Sequence, residues 1–457
     1  MQRRQFLHAA ALVPLASAPT GARAQAEPPI AAALRARVLH EGMGLAAAVI
    51  GTAGVRFAFA GRRSASDAAP PDADARFEYG SISKTFTALL LAERVQAKAF
   101  ALDDPVEVVL GTRLRDSAGT PITWADLATH RSGLPRLPAN LKPPVEADPY
   151  AGYTAADLMA FLADWTPEVP RDSRWEYSNL GFGLLGHALA LQAGRPFDAL
   201  LRERVLAPLQ LDEIQVALTG QPLPGLLQGH DAKRQPVPRW QFDALAGAGA
   251  LVGSTRSLAR YAQAAAGLID TPLKPAFDLA LTPRAAGPGA ANRIGLAWLF
   301  GPLNGRTVAN HDGGTFGFST SLFVDREARR AALVMANAMV VVNDLALHAL
   351  DPRVPPRDAA ADAAKTQRPA VAVDPAVLQR LTGSYALNPQ FKLAVRLRDG
   401  RLFAQASGQG EFELFAIDTR RWFARVTALE IHFEGESGPP PAFVLHQGGQ
   451  KLRFVRE

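Results

Sequence analysis

The chain has 457 residues, 48% of them hydrophobic, enough for a large core spread over two or three domains. It has no cysteine, which excludes disulfides, thiolate metal sites and a cysteine nucleophile, and its nine histidines form no H-E-x-x-H pattern. The net charge of +6 falls to +3 once Arg3, Arg4 and Arg23 at the N-terminus are set aside, and no long basic block suggests a nucleic-acid partner.

Residues 1–24 read as an export signal. Arg3-Arg4 precede an apolar stretch that ends in Ala22-Arg23-Ala24, a twin-arginine-like pattern with a small-residue cleavage site. A periplasmic location follows as the expectation. No later segment offers about 20 uncharged apolar residues, so no membrane span is expected. Residues 25–350 read as one mixed α/β unit. Two apolar runs around Gly51-Thr52-Ala53-Gly54 predict a hairpin. "FEYGSISKTFTALLLAERV", Phe77 to Val95, predicts a helix that is apolar all round from Ala88 to Ala92, hence central and buried. Thr123 is the candidate N-cap of a helix in "ITWADLATH". "SNLGFGLLGHALALQAG" predicts a helix ending near Gly194, and Ser254 or Thr255 caps another over "STRSLARYAQAAAG". Residues 306–337 read as strands around a glycine-rich turn, with Asp325-Arg326-Glu327 at a second hairpin tip. Residues 351–375, rich in Pro, Asp, Ala and Arg, read as a linker without periodicity. Beyond it Leu393, Val395 and Leu397 alternate, and residues 376–457 predict a small antiparallel β domain, a barrel or a sandwich without helices.

Three short stretches could carry chemistry. Ser81 and Lys84 are three apart at the start of the buried helix and share one face. Desolvation and the positive helix N-terminus both favour a neutral lysine there. A neutral amine beside a serine hydroxyl is its general base. The same terminus can aim the Ser81 backbone N–H at a developing oxyanion. Tyr177-Ser178-Asn179 follows: the phenol can relay protons if nearby cations lower its pKa, and Asn179 can accept from Lys84 while donating to a substrate carbonyl. The third stretch is His311-Asp312-Gly313-Gly314-Thr315, whose glycines let a substrate backbone approach. Singly, each has a plain structural alternative: Lys84 reaching its head to water, Tyr177 in the core, a simple hairpin turn.

In order along the chain, S-x-x-K, Y-x-N and a basic residue-x-Gly resemble the class C β-lactamases and the related penicillin-recognising carboxypeptidases and esterases. "LDDPV", "LATHRSGLPRLP", "GAGALVGSTRSLARYA" and "IGLAWLF" echo the same family, and the resemblance spans about residues 30–345. It implies an antiparallel sheet flanked by helices, with a helical subdomain and the site between them. It implies Ser81 as nucleophile, Lys84 as its base and Tyr177 as proton shuttle. Asn179, His311, Gly313 and Gly314 would bind substrate, and the backbone N–H groups of Ser81 and Gly314 would form the oxyanion hole. No metal and no cofactor are implied. Two positions depart from the pattern. His311 stands where efficient class C enzymes carry lysine, and histidine is mostly neutral near pH 7 unless a carboxylate raises its pKa. Tyr79 stands where an aliphatic residue is usual. The resemblance implies a monomeric serine hydrolase acting on β-lactams or D-Ala-D-Ala-type peptides. The alternatives are a carboxylic esterase on the same fold and a non-catalytic penicillin- or peptidoglycan-binding protein. The C-terminal domain resembles accessory domains of such hydrolases, with a structural cap as its expected role. No G-x-S-x-G elbow points to an α/β-hydrolase.

Overall fold

The computed structural model describes residues 27–289, 291–388, 391–406, 411–447 and 450–457. The export signal expected over residues 1–24 lies outside the described residues. Strand β1 (Gly44–Gly51) turns at Thr52-Ala53 into β2 (Gly54–Gly61), with Gly54 at φ +107° in a conformation that favours glycine. The rest of this sheet comes from the other end of the domain: β3 (Ala285–Ala286), β4 (Arg293–Ile294), β5 (Leu299–Leu303), β6 (Arg306–Gly314), β7 (Ser319–Asp325) and β8 (Arg330–Ala336). The spatial order is β2-β1-β8-β7-β6-β5-β4-β3, and every pairing is antiparallel. β1 pairs with β8 in the register Leu45↔Ala336 to Ile50↔Ala331, which closes the sheet across the long intervening segment.

Period-2 geometry explains why β1 is apolar at consecutive positions. Leu45 and Ala47 face one layer, with Ile30 and Leu34 of α1 (Ile30–Arg37) and Leu345 and Ala349 of a C-terminal helix. Ala46, Ala48 and Ile50 face the other, larger layer. There the nucleophile helix α2 (Ser83–Gln96) lies at the centre, and Ala88 to Ala92 are fully buried. It is followed by α3 (Asn179–Ala193) and α4 (Thr255–Ala265), and the C-terminal helix is α5 (Asn343–Leu350). With both faces covered the domain has three layers. The helix ends follow the sequence signals. Thr123 caps its helix through a reciprocal pair with Asp126. Ser178 caps α3, which stops at Gly194 in the left-handed conformation, and Ser254 rather than Thr255 caps α4.

The C-terminal region forms a closed eight-stranded antiparallel barrel from Gly383–Asn388 to Gln450–Arg456, closed by Tyr385↔Arg456 and Ala386↔Val455. Leu393 and Val395, Leu402 and Ala404, and Leu429, Ile431 and Phe433 alternate into its interior, where Tyr385, Phe443 and Phe454 pack ring on ring. The expectation of a helix-free segment needs correction. Helix Ala359–Gln367 lies within the linker segment, and helix Pro375–Leu381 leads into the barrel and buries Leu378 and Leu381 in its core. Asp374 caps that second helix and Pro375 opens it.

Candidate active site

Ser81 sits in a single tight turn, Gly80–Ile82, that feeds α2. Three contacts pin this turn, two of them to the eight-stranded sheet and one to the strand Leu251–Ser254 of a separate small sheet. The Thr320 hydroxyl donates to the Tyr79 carbonyl at 2.9 Å, and the Tyr79 N–H donates to the Leu251 carbonyl at 2.8 Å. The Gly313 backbone lies so close that a Cβ there would stand 2.1 Å from the Tyr79 carbonyl oxygen. Gly80 has φ +52°, and its missing Cβ leaves room for the Gly314 backbone. The end of β6 is therefore pressed against the serine, with Ser81 and Gly314 on one cleft wall. Tyr79, at the position expected to be aliphatic, is fully buried and donates its hydroxyl to the Ser254 carbonyl at 2.7 Å.

Lys84 is also fully buried. Its Nζ lies 3.0 Å from Ser81 Oγ, 2.8 Å from Asn179 Oδ1 and 2.6 Å from the Ala248 carbonyl. Burial, with the nearby positive charge of Arg136, holds its pKa well below the ordinary lysine value. A neutral amine fits these three oxygens: two hydrogens donate to Asn179 and Ala248, and the lone pair faces the Ser81 hydroxyl. Tyr177 stands over the same group, its ring centroid 4.9 Å from Lys84 Nζ, and its hydroxyl interacts with Ser81. Here the sequence expectation fails. Loss of water around the phenol outweighs its polar contact with Ser81 and the charge of Arg136, and the Tyr177 pKa is raised, not lowered. Tyr177 is a neutral phenol in the resting site.

Asn179 spans the site. Its Oδ1 accepts from Lys84, and its Nδ2 donates to the Tyr150 hydroxyl at 2.7 Å. Tyr150 belongs to the proline-rich segment 136–150 and stacks on Phe242, with ring centroids 4.8 Å apart. The cleft, about 250 Å³, is lined by Ser81, Asn179 and Gly314 with Tyr150, Trp240, Phe242, Phe316 and Arg136.

His311 and Gly313 lie outside this lining. Alternation along β6 turns both inward while Asp312 and Gly314 face out. His311 is 2% exposed, its Nδ1–H donates to the Asp312 carbonyl, and burial pushes its pKa down to about 3. It is a neutral ring beneath Tyr177, with centroids 6.4 Å apart, and not a cation on the cleft wall. A second buried imidazole, His130, packs 4.4 Å from the Tyr177 ring and accepts the Ser178 N–H on its Nδ1.

The sequence reading passed over Glu78. This carboxyl is 3% exposed, accepts the Trp240 N–H at 2.7 Å and the Thr315 hydroxyl at 2.6 Å, and so ties the aromatic wall to the end of β6. Burial pushes its pKa up to about 7. Its place three residues before the serine was the available signal. Among the described residues no three His, Cys, Asp or Glu side chains are grouped to hold a metal ion, and no helix is long and apolar enough to cross a membrane.

Known proteins resemble this chain in sequence and fold. The family described as Beta-lactamase matches residues 31–351. Penicillin-binding protein 4* of Bacillus subtilis (strain 168) is 23% identical over 85% of this chain and 89% of its own length. D-alanyl-D-alanine-carboxypeptidase/endopeptidase AmpH of Escherichia coli (strain K12) is 26% identical over 58% of this chain and 71% of its own. Among solved structures, the class C beta lactamase from Rhodobacter sphaeroides superposes with a TM-score of 0.60 at 24% identity, over 70% of this chain and 97% of that one. By the match over residues 31–351, this chain belongs to the beta-lactamase family.

Proposed function

We propose that this protein is a serine hydrolase that forms an acyl-enzyme on Ser81, with β-lactam amides or D-Ala-D-Ala-type peptides as substrates. The observation that carries the reading is the buried Lys84 amine 3.0 Å from Ser81 Oγ. As Oγ attacks the carbonyl carbon, its proton passes to the Lys84 lone pair. The negative oxygen that forms is met by the backbone N–H groups of Ser81 and Gly314, and one such donor is typically worth about 2.7–4 kcal/mol of barrier. The proton then moves to the leaving nitrogen through the Tyr177 phenol, which a raised pKa keeps protonated and able to donate. In deacylation, water loses its proton to the Tyr177–Lys84 pair as it attacks the ester. The substrate class is supported by the names of the relatives, a penicillin-binding protein and a D-alanyl-D-alanine-carboxypeptidase/endopeptidase. The Arg3-Arg4 segment supports a periplasmic enzyme exported by the twin-arginine route. The barrel, its interior filled by its own aromatic rings, fits a structural cap.

A second reading keeps the mechanism and changes the substrate to small carboxylic esters. The neutral, buried His311 favours it, since the third motif then supplies no charge to hold a substrate carboxylate. The test is to mix residues 25–457 with a chromogenic cephalosporin and follow colour and intact mass together. Sustained colour with a transient adduct that disappears in Ser81→Ala is the β-lactamase result. A burst with a lasting Ser81 adduct marks a penicillin-binding peptidase. Ester hydrolysis lost in Ser81→Ala, without any cephalosporin adduct, moves the enzyme to the esterase branch. No Ser81-dependent turnover of any of these substrates would overturn the catalytic reading.

A further inference from the structure

The cleft holds one guanidinium that no acidic group answers. Arg136 lines the wall with Ser81, Tyr150 and Asn179, and neither Asp nor Glu is among the lining residues. Its side chain is exposed and, among the described residues, makes no hydrogen bond or ion pair. Its contact is with the face of Tyr177, 5.1 Å from the ring centroid. Its main chain is fixed: the Arg136 carbonyl accepts the N–H groups of Asn179 and Leu180 at 3.0 and 3.1 Å, and the neighbouring Pro135 carbonyl accepts the Ser178 hydroxyl at 2.6 Å. A long cation with a fixed root, a supported stem and a free fork is organised for an anion that arrives from outside. The fork is planar and pairs with a carboxylate through two parallel N–H···O bonds. Trp240, Phe242 and Phe316 line the same cleft and set apolar surface beside it.

We propose that Arg136 binds a carboxylate of the substrate, the task that the buried third-motif residue His311 leaves unfilled. This assignment rests on the acyl-enzyme reading and narrows it to acyl donors that carry a free carboxylate. Arg136 then acts in binding, and the chemistry remains with Ser81, Lys84 and Tyr177.

The test uses two matched probe pairs: a chromogenic cephalosporin and its carboxylate methyl ester, and a nitrophenyl ester with a free carboxylate and its methylated twin. Wild type, Arg136→Gln and Arg136→Lys are compared for KM, kcat and Ser81 adduct formation. Both substitutions keep the backbone carbonyl that anchors Asn179. Loss of a charge-assisted pair predicts a rise in KM of about 10- to 100-fold for the carboxylated probes in Arg136→Gln, against a change of less than about twofold in KM for the methylated probes. Arg136→Lys recovers part of the loss, and high salt weakens binding of the carboxylated probes alone. Equal losses for charged and methylated probes would mean that Arg136 acts through Tyr177 or Lys84, and the assignment falls. Wild-type enzyme that acylates Ser81 without preference for the carboxylate also overturns it while leaving the acyl-enzyme intact. Absence of Ser81 acylation with every probe overturns the acyl-enzyme reading and this assignment together.

Discussion

Replacing Glu78 by Gln tests whether burial sets the charge at the floor of the cleft. The carboxyl has an ordinary pKa of 4.5 in the unfolded chain and about 7 in the fold. Desolvation is the main cause, the neighbouring Asp148 adds to it, and the hydrogen bonds from Thr315 and Trp240 only partly offset it. Between those two values the folded protein holds a proton that the unfolded chain has released. Stability from this group is therefore present at low pH and lost as pH rises through the folded pKa. At 1.36 kcal/mol per pKa unit the full loss is about 3 kcal/mol, of which about 2.5 kcal/mol falls between pH 5 and pH 8.5. Gln is neutral throughout. Its carbonyl can still accept the Trp240 N–H, and its amide can donate to the Thr315 hydroxyl. Guanidinium unfolding of wild type and Glu78→Gln at the two pH values measures the effect, with tryptophan fluorescence as the signal, since five of the six tryptophans precede residue 300. The stability difference should move by about 2.5 kcal/mol in favour of the variant as pH rises. A pH-independent difference would refute the argument, because it would mean that Glu78 is ionised in the fold at pH 5.

The neighbouring glycines separate close packing from openness. Gly313→Ala puts a Cβ 2.1 Å from the Tyr79 carbonyl and 2.2 Å from Thr320 Oγ1, whereas at Gly314 the nearest atom is 3.8 Å away. Gly313→Ala should lower the unfolding midpoint and abolish Ser81 acylation, while Gly314→Ala folds like wild type, as thermal melts and intact mass would show. Lys84→Met removes the base from a buried site of matching shape, and the rate of Ser81 acylation should fall by about 10²- to 10⁴-fold with the fold retained. Because burial holds the Lys84 pKa well below the ordinary value, the wild-type acylation rate should rise with pH and level off below the ordinary lysine range, a limb that stopped-flow traces of Lys84→Met would lack. Tyr79→Phe leaves the Ser254 carbonyl without its buried partner and should cost about 1–3 kcal/mol in denaturant unfolding, with acylation rates little changed.

Much of the architecture could be read in one dimension because its causes are local. Thr123, Ser178 and Ser254 cap helices through the residue three positions ahead. The Gly51–Gly54 hairpin is closed by its own turn, and the barrel strands show their inward faces by simple alternation. The helix Pro375–Leu381 was missed although Asp374 and Pro375 announce it, because the linker composition around them dominated the reading. In the site, Ser81 and Lys84 were legible because a spacing of three, through the tight turn that runs into α2, brings two side chains together whatever surrounds them.

The sequence by itself determined the order of the reactive residues, the helical spacing that brings Ser81 to Lys84, the pairing of β1 with β2 and the alternating faces of the barrel. Each depends on backbone periods of 3.6 and 2 and on caps within one turn. Only the tertiary structure decided the charge of those residues. Tyr177 keeps its proton, His311 is a neutral ring under the cleft and Glu78 titrates near neutrality, because elements distant in sequence close over them and remove water. It also decided that Arg136 and Tyr150, from one irregular segment, stand beside Asn179 in the cleft. Desolvation is a property of the whole packed environment, and no spacing along the chain encodes it.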